Sequence, residues 1–119
     1  MAYDSNNIFA RILRGEIPCK KVFEDEHTLA FHDINPQAPV HILVIPKGPY
    51  VSADDFGEKA SDAEIAALMR AVSHVAKLAG VADSGYRILA NHGVNANQEV
   101  PHFHIHIFGG RRLGAMVSG

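Results

Sequence analysis

Residues 102–107 read His-Phe-His-Ile-His-Ile, imidazole and apolar side chains alternating without a break. On an extended strand successive side chains point to opposite faces. His102, His104 and His106 then share one surface, each about 6.6 Å from the next. Phe103, Ile105 and Ile107 turn the other way, into a core. Three titratable rings in a row on a half-buried strand are unfavourable for folding alone. The pattern points to a site.

The rest of the chain supplies a scaffold for that strand. Asn6–Leu13 is expected to be a short helix, its apolar stripe formed by Ile8, Phe9, Ile12 and Leu13 and its end marked by Gly15 and Pro18. Lys20–Glu24 and Thr28–Asp33 are strand candidates joined by the polar Asp25-Glu26-His27, as in a hairpin. Pro36 and Pro39 mark a turn, and His41–Ile45 is a β-rich run stopped by Pro46. The clearest helix is Asp62–Ala79. Ser61 with Glu64 forms a capping box, Ile65, Leu68, Met69, Val72, Val75, Ala76 and Ala79 form the stripe, and Gly80 supplies the stop. Tyr86–Asn91 and His102–Phe108 are the last strands, with the polar loop His92–Pro101 between them. Five strands and two helices, with connections mostly too short for parallel crossovers, predict an α+β domain on an antiparallel sheet.

Composition narrows the function classes. At 119 residues the chain fits one domain, and a net charge of -2 gives no basic field for a nucleic-acid backbone. Lys20-Lys21 and Arg111-Arg112 are too brief for a nucleic-acid stripe. The first residues lack the basic start and apolar run of a signal peptide, and no stretch reaches membrane-spanning length. Cys19 is alone, so no internal disulfide and no CxxC zinc site is expected. The expected compartment is the cytoplasm.

Two kinds of chemistry suit the histidine strand. A zinc site needs ligand atoms at about 2 Å in tetrahedral array, whereas the outer Cα atoms of three same-face strand residues lie about 13 Å apart. The third ring would have to bend far back, with Asp33 or Glu99 as supplementary ligands. Divided labour fits the spacing better. A neutral imidazole is a nucleophile and a general acid or base near pH 7, and clustering disfavours multiple protonation. Such a cluster suits phosphoryl or nucleotidyl transfer, one ring nitrogen attacking phosphorus while neighbouring donors hold the oxygens.

His102-Phe-His104-Ile-His106-Ile-Phe108 resembles the signature of the histidine triad family. The likeness extends through Ile8-Phe9, Gly15-Glu16-Ile17-Pro18, Phe31-His32-Asp33-Ile34, Pro36–His41, Ile45-Pro46-Lys47, Gly85-Tyr86-Arg87, Asn91 and Gly109-Gly110-Arg111, in the order of the family's nucleotide-binding branch. The resemblance implies a five-stranded sheet continued across a homodimer. It also implies hydrolysis of purine nucleoside 5′-phosphoramidates through a nucleotidyl-histidine, with no required metal or cofactor. By the same resemblance His104 is the nucleophile, His106 contacts the phosphate and assists the leaving group, and His102 and His41 orient or relay protons. Asp33 resembles the ribose-binding acid. Phe9, Ile34 and Phe31 resemble the base pocket, although core packing explains such apolar residues equally well. Asn91 and Gln98-Glu99-Val100 resemble the phosphate-contacting loop. Cleavage of dinucleoside polyphosphates and a nucleotide-binding regulatory module are the alternative functions.

Some residues depart from the family pattern. Glu99 stands where Ser or Thr is common, and is expected to turn its carboxylate away and offer its backbone N–H. Asn97 stands where Gly is common. The tail, Arg112–Gly119, lacks a tryptophan found near the end of some relatives. His27, His32, His74 and His92 are expected to be polar surface or turn residues.

Overall fold

The computed structural model describes residues 2–117. Helix α1 (Ile8–Leu13) is followed by strands β1 (Lys21–Glu24), β2 (Thr28–His32) and β3 (Val40–Pro46). Helices α2 (Ala53–Lys59) and α3 (Asp62–Leu78) come next, then β4 (Tyr86–Leu89), a 3-10 turn (Val94–Ala96) and β5 (Ile105–Gly109). The strands form one antiparallel sheet in the order β1-β2-β3-β5-β4. The predicted α+β class and all five strands are present. No helix among the described residues is long and apolar enough to cross a membrane.

The sheet separates two apolar layers. Ala30, Ile42, Val44, Ile105 and Ile107 pack against Leu68, Ala71, Val72 and Val75 of α3 on one face. On the other face Leu29, Phe31, Leu43 and Ile45 pack against Phe9 of α1. β2 and β3 are therefore buried on both sides, which explains their near-continuous apolar runs. Val44, Ile45 and Ile107 are fully buried, each side chain contributing about 1.5–3 kcal/mol. Because β5 is central, both neighbours fix its register: His106 lies opposite Leu43 of β3 and Leu89 of β4.

Local chemistry sets the ends of the elements. Asn7 caps α1 by accepting from Ala10 N–H at 2.9 Å, and the Ser61–Glu64 capping box at the start of α3 forms as expected. Gly109 and Gly110 close β5 in a crowded corner. A Cβ at Gly109 would come within 2.8 Å of Val81, and Gly110 has φ +88° with Pro39 close by.

Three expectations need correction. Two helices were expected, but α2 is a third, begun by a second capping box between Ser52 and Asp55. Its seven residues, with Gly57 inside, make too short a stripe to register as helical periodicity. The stripe of α3 is narrower than expected, because Ile65 and Met69 remain exposed. Finally, the last strand begins at Ile105 rather than His102. Phe103 N–H instead donates to Tyr50 carbonyl at 2.8 Å, holding residues 102–104 outside the ladder.

Candidate active site

Because the ladder starts at Ile105, the three histidines do not form an even row. His102 is turned into the interior and has no solvent exposure. One of its ring nitrogens, Nε2, faces Pro46 carbonyl at 2.8 Å, and Nδ1 faces Tyr3 hydroxyl at 2.6 Å. His104 is also buried; its Nδ1 lies 2.7 Å from the carbonyl of His102. Phe9 and His104 meet edge to face at a centroid distance of 5.0 Å, and the His106 ring lies 4.9 Å from that of His104. The alternation of Phe103, Ile105 and Ile107 into the α3 layer is as expected.

His41 enters from β3, where it is paired with Phe108 of β5. Its Nδ1 accepts from Gln37 N–H at 3.1 Å, and its Nε2 lies 2.9 Å from His106 Nδ1 and 3.4 Å from Asp33 Oδ2. The other Asp33 oxygen accepts from Asn35 N–H at 2.8 Å. The structure thus brings together His41, His104, His106 and Asp33, with His102 behind them.

These contacts determine the tautomers. A carbonyl only accepts, so His102 carries its proton on Nε2 and His104 carries its proton on Nδ1. Neutral His104 therefore has a bare Nε2 lone pair. Gln37 N–H occupies His41 Nδ1, so His41 bears Nε2–H and donates it to His106 Nδ1. His106 is left with its proton on Nε2. The arrangement offers one nucleophilic nitrogen and one neighbouring donor.

Burial favours the neutral form of every ring. It is the leading cause of a lowered pKa at His41, His102, His104 and His106. His106 is pushed down to about 4, first by burial and then by the adjacent His104 and His41. At His104 the carbonyl of His102 and the carboxylates of Asp33 and Glu99 oppose the shift. Asp33, His41 and His106 also present possible metal-ligand atoms within 4.8 Å of one another. Their lone pairs are partly committed, since His106 Nδ1 accepts from His41 and one Asp33 oxygen accepts from Asn35.

The remaining expected residues are dispersed around this centre. Phe9 and Phe31 are buried in the α1-side core, their rings edge to face at 5.5 Å. Ile34 is 99% exposed beside Asp33. Asn91 is half-buried just beyond β4, Glu99 is exposed, and Val100 packs on the α1-side core. Gln98 spends its amide on the backbone, donating to the carbonyls of Val51 and Val100 and accepting from Gly93 N–H. It braces the loop. Asn97 adopts φ 56°, a left-handed conformation that Asn tolerates better than most residues and Gly adopts freely.

Two contacts escaped the sequence reading. Ser52 hydroxyl, which accepts from Asp54 N–H, lies 2.6 Å from His92 Nδ1 and ties the loop to α2. Ser52 and His92 lie 40 positions apart, a separation over which no local pattern signals a contact. Tyr3 lies 99 positions from His102 and carried no motif. His74, expected on the surface, is exposed and sets its ring 4.9 Å from that of Phe23.

Comparison with known proteins places this geometry in a family. An uncharacterized 13.2 kDa HIT-like protein of Azospirillum brasilense is 72% identical over 116 residues, covering 98% of this chain and 95% of the relative. The purine nucleoside phosphoramidase of Escherichia coli K12 is 39% identical over 111 residues, covering 93% and 92%. Among solved structures, a histidine triad protein from Clostridium difficile superposes with a TM-score of 0.84 at 39% identity, covering 98% of this chain and all of that one. A HIT family hydrolase from Legionella pneumophila gives 0.82 at 38% identity, covering 92% and 96%. With the HIT domain model matching residues 14–113, this chain belongs to the HIT domain family.

Proposed function

We propose that this protein hydrolyses purine nucleoside 5′-phosphoramidates through a nucleotidyl-His104 intermediate, with no required metal. The observation that carries the reading is the hydrogen bond from His104 Nδ1–H to the carbonyl of His102, which leaves Nε2 free for phosphorus. The similarity to the Escherichia coli phosphoramidase supports the substrate class. Ile34, a large apolar side chain left in water, offers a surface for a flat base beside Asp33, which suits a vicinal ribose diol. Phosphate oxygens would meet the loop of Asn91 and Gln98–Val100, with Gln98 shaping the backbone.

The proton count constrains the first step. In the neutral His41–His106 pair, Gln37 N–H occupies one nitrogen, a shared proton joins two, and the fourth carries Nε2–H. No site on the pair accepts a further proton without losing a hydrogen bond. The departing nitrogen therefore brings its proton in with the substrate. His104 Nε2 bonds to phosphorus, the P–N bond breaks, and a neutral amine leaves, while the positive charge passes to the nucleotidyl-imidazolium. His106 Nε2–H stabilises the transferring group as a hydrogen-bond donor. Water then attacks phosphorus, the P–Nε2 bond breaks, and a proton is released with the nucleoside monophosphate. Two carboxylates, Asp33 and Glu99, act electrostatically on His104. Their charge disfavours a polyanionic leaving group, which weighs against dinucleoside polyphosphates.

Turnover of adenosine 5′-phosphoramidate in excess chelator tests the proposal; binding of AMP without any turnover would leave only a regulatory module. The proton count adds a pH signature. For an aryl ester of AMP, whose leaving group needs no proton, kcat/KM is expected not to rise as pH falls from 8 to 6 and to hold to lower pH than an ordinary imidazole allows, because burial favours neutral His104. For an alkyl phosphoramidate it is expected to rise as pH falls over that range. Parallel profiles for the two substrates would contradict the assignment.

The homodimer forms part of the same proposal, through the edge of β4. Charged Lys21 and Glu24 and a register irregularity protect the other edge, β1. On β4, Tyr86 and Ile88 are exposed, and their partners Gly109 and Ile107 place them on the α3 face. His74 fixes one flank of α3 over β1, so exposed Ile65 and Met69 lie on the opposite flank, toward β4. A second copy would cover this apolar strip and extend the sheet. Ile88→Asp is expected to convert a dimer to monomers in sedimentation; an unchanged dimer would place the interface elsewhere.

A further inference from the structure

The hydroxyl of Tyr3 lies outside every motif, yet it reaches the most deeply buried histidine of the site. We infer that Tyr3 is a positioning residue, whose hydroxyl locks the ring of His102 and thereby aims the carbonyl that orients His104. This rests on the proposed role of His104 as nucleophile.

The N-terminal segment is built to deliver Tyr3. Asp4 carbonyl accepts from both the backbone N–H and the side-chain amide of Asn7, and Asp4 carboxylate accepts from Asn6 N–H. That turn is complete without Tyr3, and the cap of α1 belongs to Asn7. Tyr3 is free to extend back over the site. Its ring meets His102 edge to face at 5.6 Å, and its hydroxyl lies 2.6 Å from Nδ1. Since His102 Nε2–H is committed to Pro46 carbonyl, Nδ1 is an acceptor and Tyr3 O–H must donate.

The consequence runs through the backbone. His102 is gripped at both ring nitrogens, and the next peptide is held by Phe103 N–H on Tyr50 carbonyl. Between these anchors lies the His102 carbonyl, which accepts His104 Nδ1–H at 2.7 Å. Without the hydroxyl, Nδ1 becomes a buried acceptor with no partner, and turning the ring over relieves it only by giving up Pro46. Either response moves the carbonyl, and with it the line of approach of His104 Nε2.

Tyr3→Phe in the full chain tests this, because the ring contact is retained and only the hydroxyl is lost. With adenosine 5′-phosphoramidate, kcat is expected to fall about tenfold, the scale of a sub-ångström misplacement, while KM and AMP binding stay within about twofold. Long-range 1H–15N spectra should show the His102 Nδ1 resonance shifted and that of His104 Nε2 altered on AMP binding. A merely structural contact would lower thermal stability without moving the kcat-to-KM split. Wild-type kcat in Tyr3→Phe overturns the inference, whether or not the His102 resonance moves. Wild-type protein that turns over no phosphoramidate defeats the functional reading instead, and the AMP-bound His104 resonance still reports whether Tyr3 aims that ring.

Discussion

Replacing His104 by Asn is expected to lower phosphoramidate turnover by about four orders of magnitude or more, the scale of losing a nucleophile. Asn is the informative choice. Its amide N–H can replace the donor that His104 Nδ1 offers to the carbonyl of His102, so the backbone of residues 102–104 is kept. What it lacks is a basic lone pair at the position of Nε2. AMP affinity should change by no more than about threefold, because the proposed ribose, base and phosphate contacts involve Asp33, Ile34, His106 and the loop rather than His104 alone. His104→Ala should lose turnover equally but also leave a gap beside Phe9, and so fold less stably. Retained turnover in His104→Asn would remove covalent chemistry at this ring, and lost AMP binding in both variants would make His104 a binding residue first.

The second large effect is loss of stability in acid, beginning well above the range in which carboxylates titrate. His41, His102, His104 and His106 all have folded pKa values below their ordinary value of 6.5, mainly through burial. The unfolded chain then binds more protons than the folded one as pH drops through 6.5. The stabilisation is fully present above 6.5 and is lost progressively toward the folded values. His106 alone, at about 4, accounts for about 3 kcal/mol by the time pH falls below 4. Against a typical domain stability of about 5–15 kcal/mol, with three more rings acting in the same direction, the fold should be lost near pH 4. Urea unfolding between pH 7 and 4 measures this. More than one proton should be taken up on unfolding, and His106→Gln should remove about one of them. A urea midpoint constant over that range would contradict the burial of these rings as neutral groups.

The elements easiest to read in the sequence were those with a local physical signature. The Ser61–Glu64 box and the apolar stripe from Ile65 to Ala79 announced α3, and the alternation of His102 to Ile107 announced a strand. Local signals failed where long-range contacts decide the outcome. His102 and His104 continue the alternation, yet Tyr50 and Pro46 draw their backbone and ring out of the ladder. Gln98 reads as a polar loop residue facing phosphate, whereas folding brings Val51 within reach of its amide. Ile65 and Met69 sit on the helical stripe of α3, but α3 packs over β1, β2 and β3 and leaves both side chains exposed. Asp33 and His41 are eight positions apart, and only the Pro36–Pro39 turn and β3 register bring them to 3.4 Å.

Intact-mass and peptide mass spectrometry after rapid acid-free quenching would probe the chemistry at its decisive atom. Wild-type protein mixed with adenosine 5′-phosphoramidate should show an added adenylyl group confined to the peptide carrying His104, formed and consumed at rates matching turnover. Turnover without any such adduct under conditions that preserve phosphoryl-imidazole, or an adenylyl group on His106 or His41 instead, would contradict attack by the His104 Nε2 lone pair.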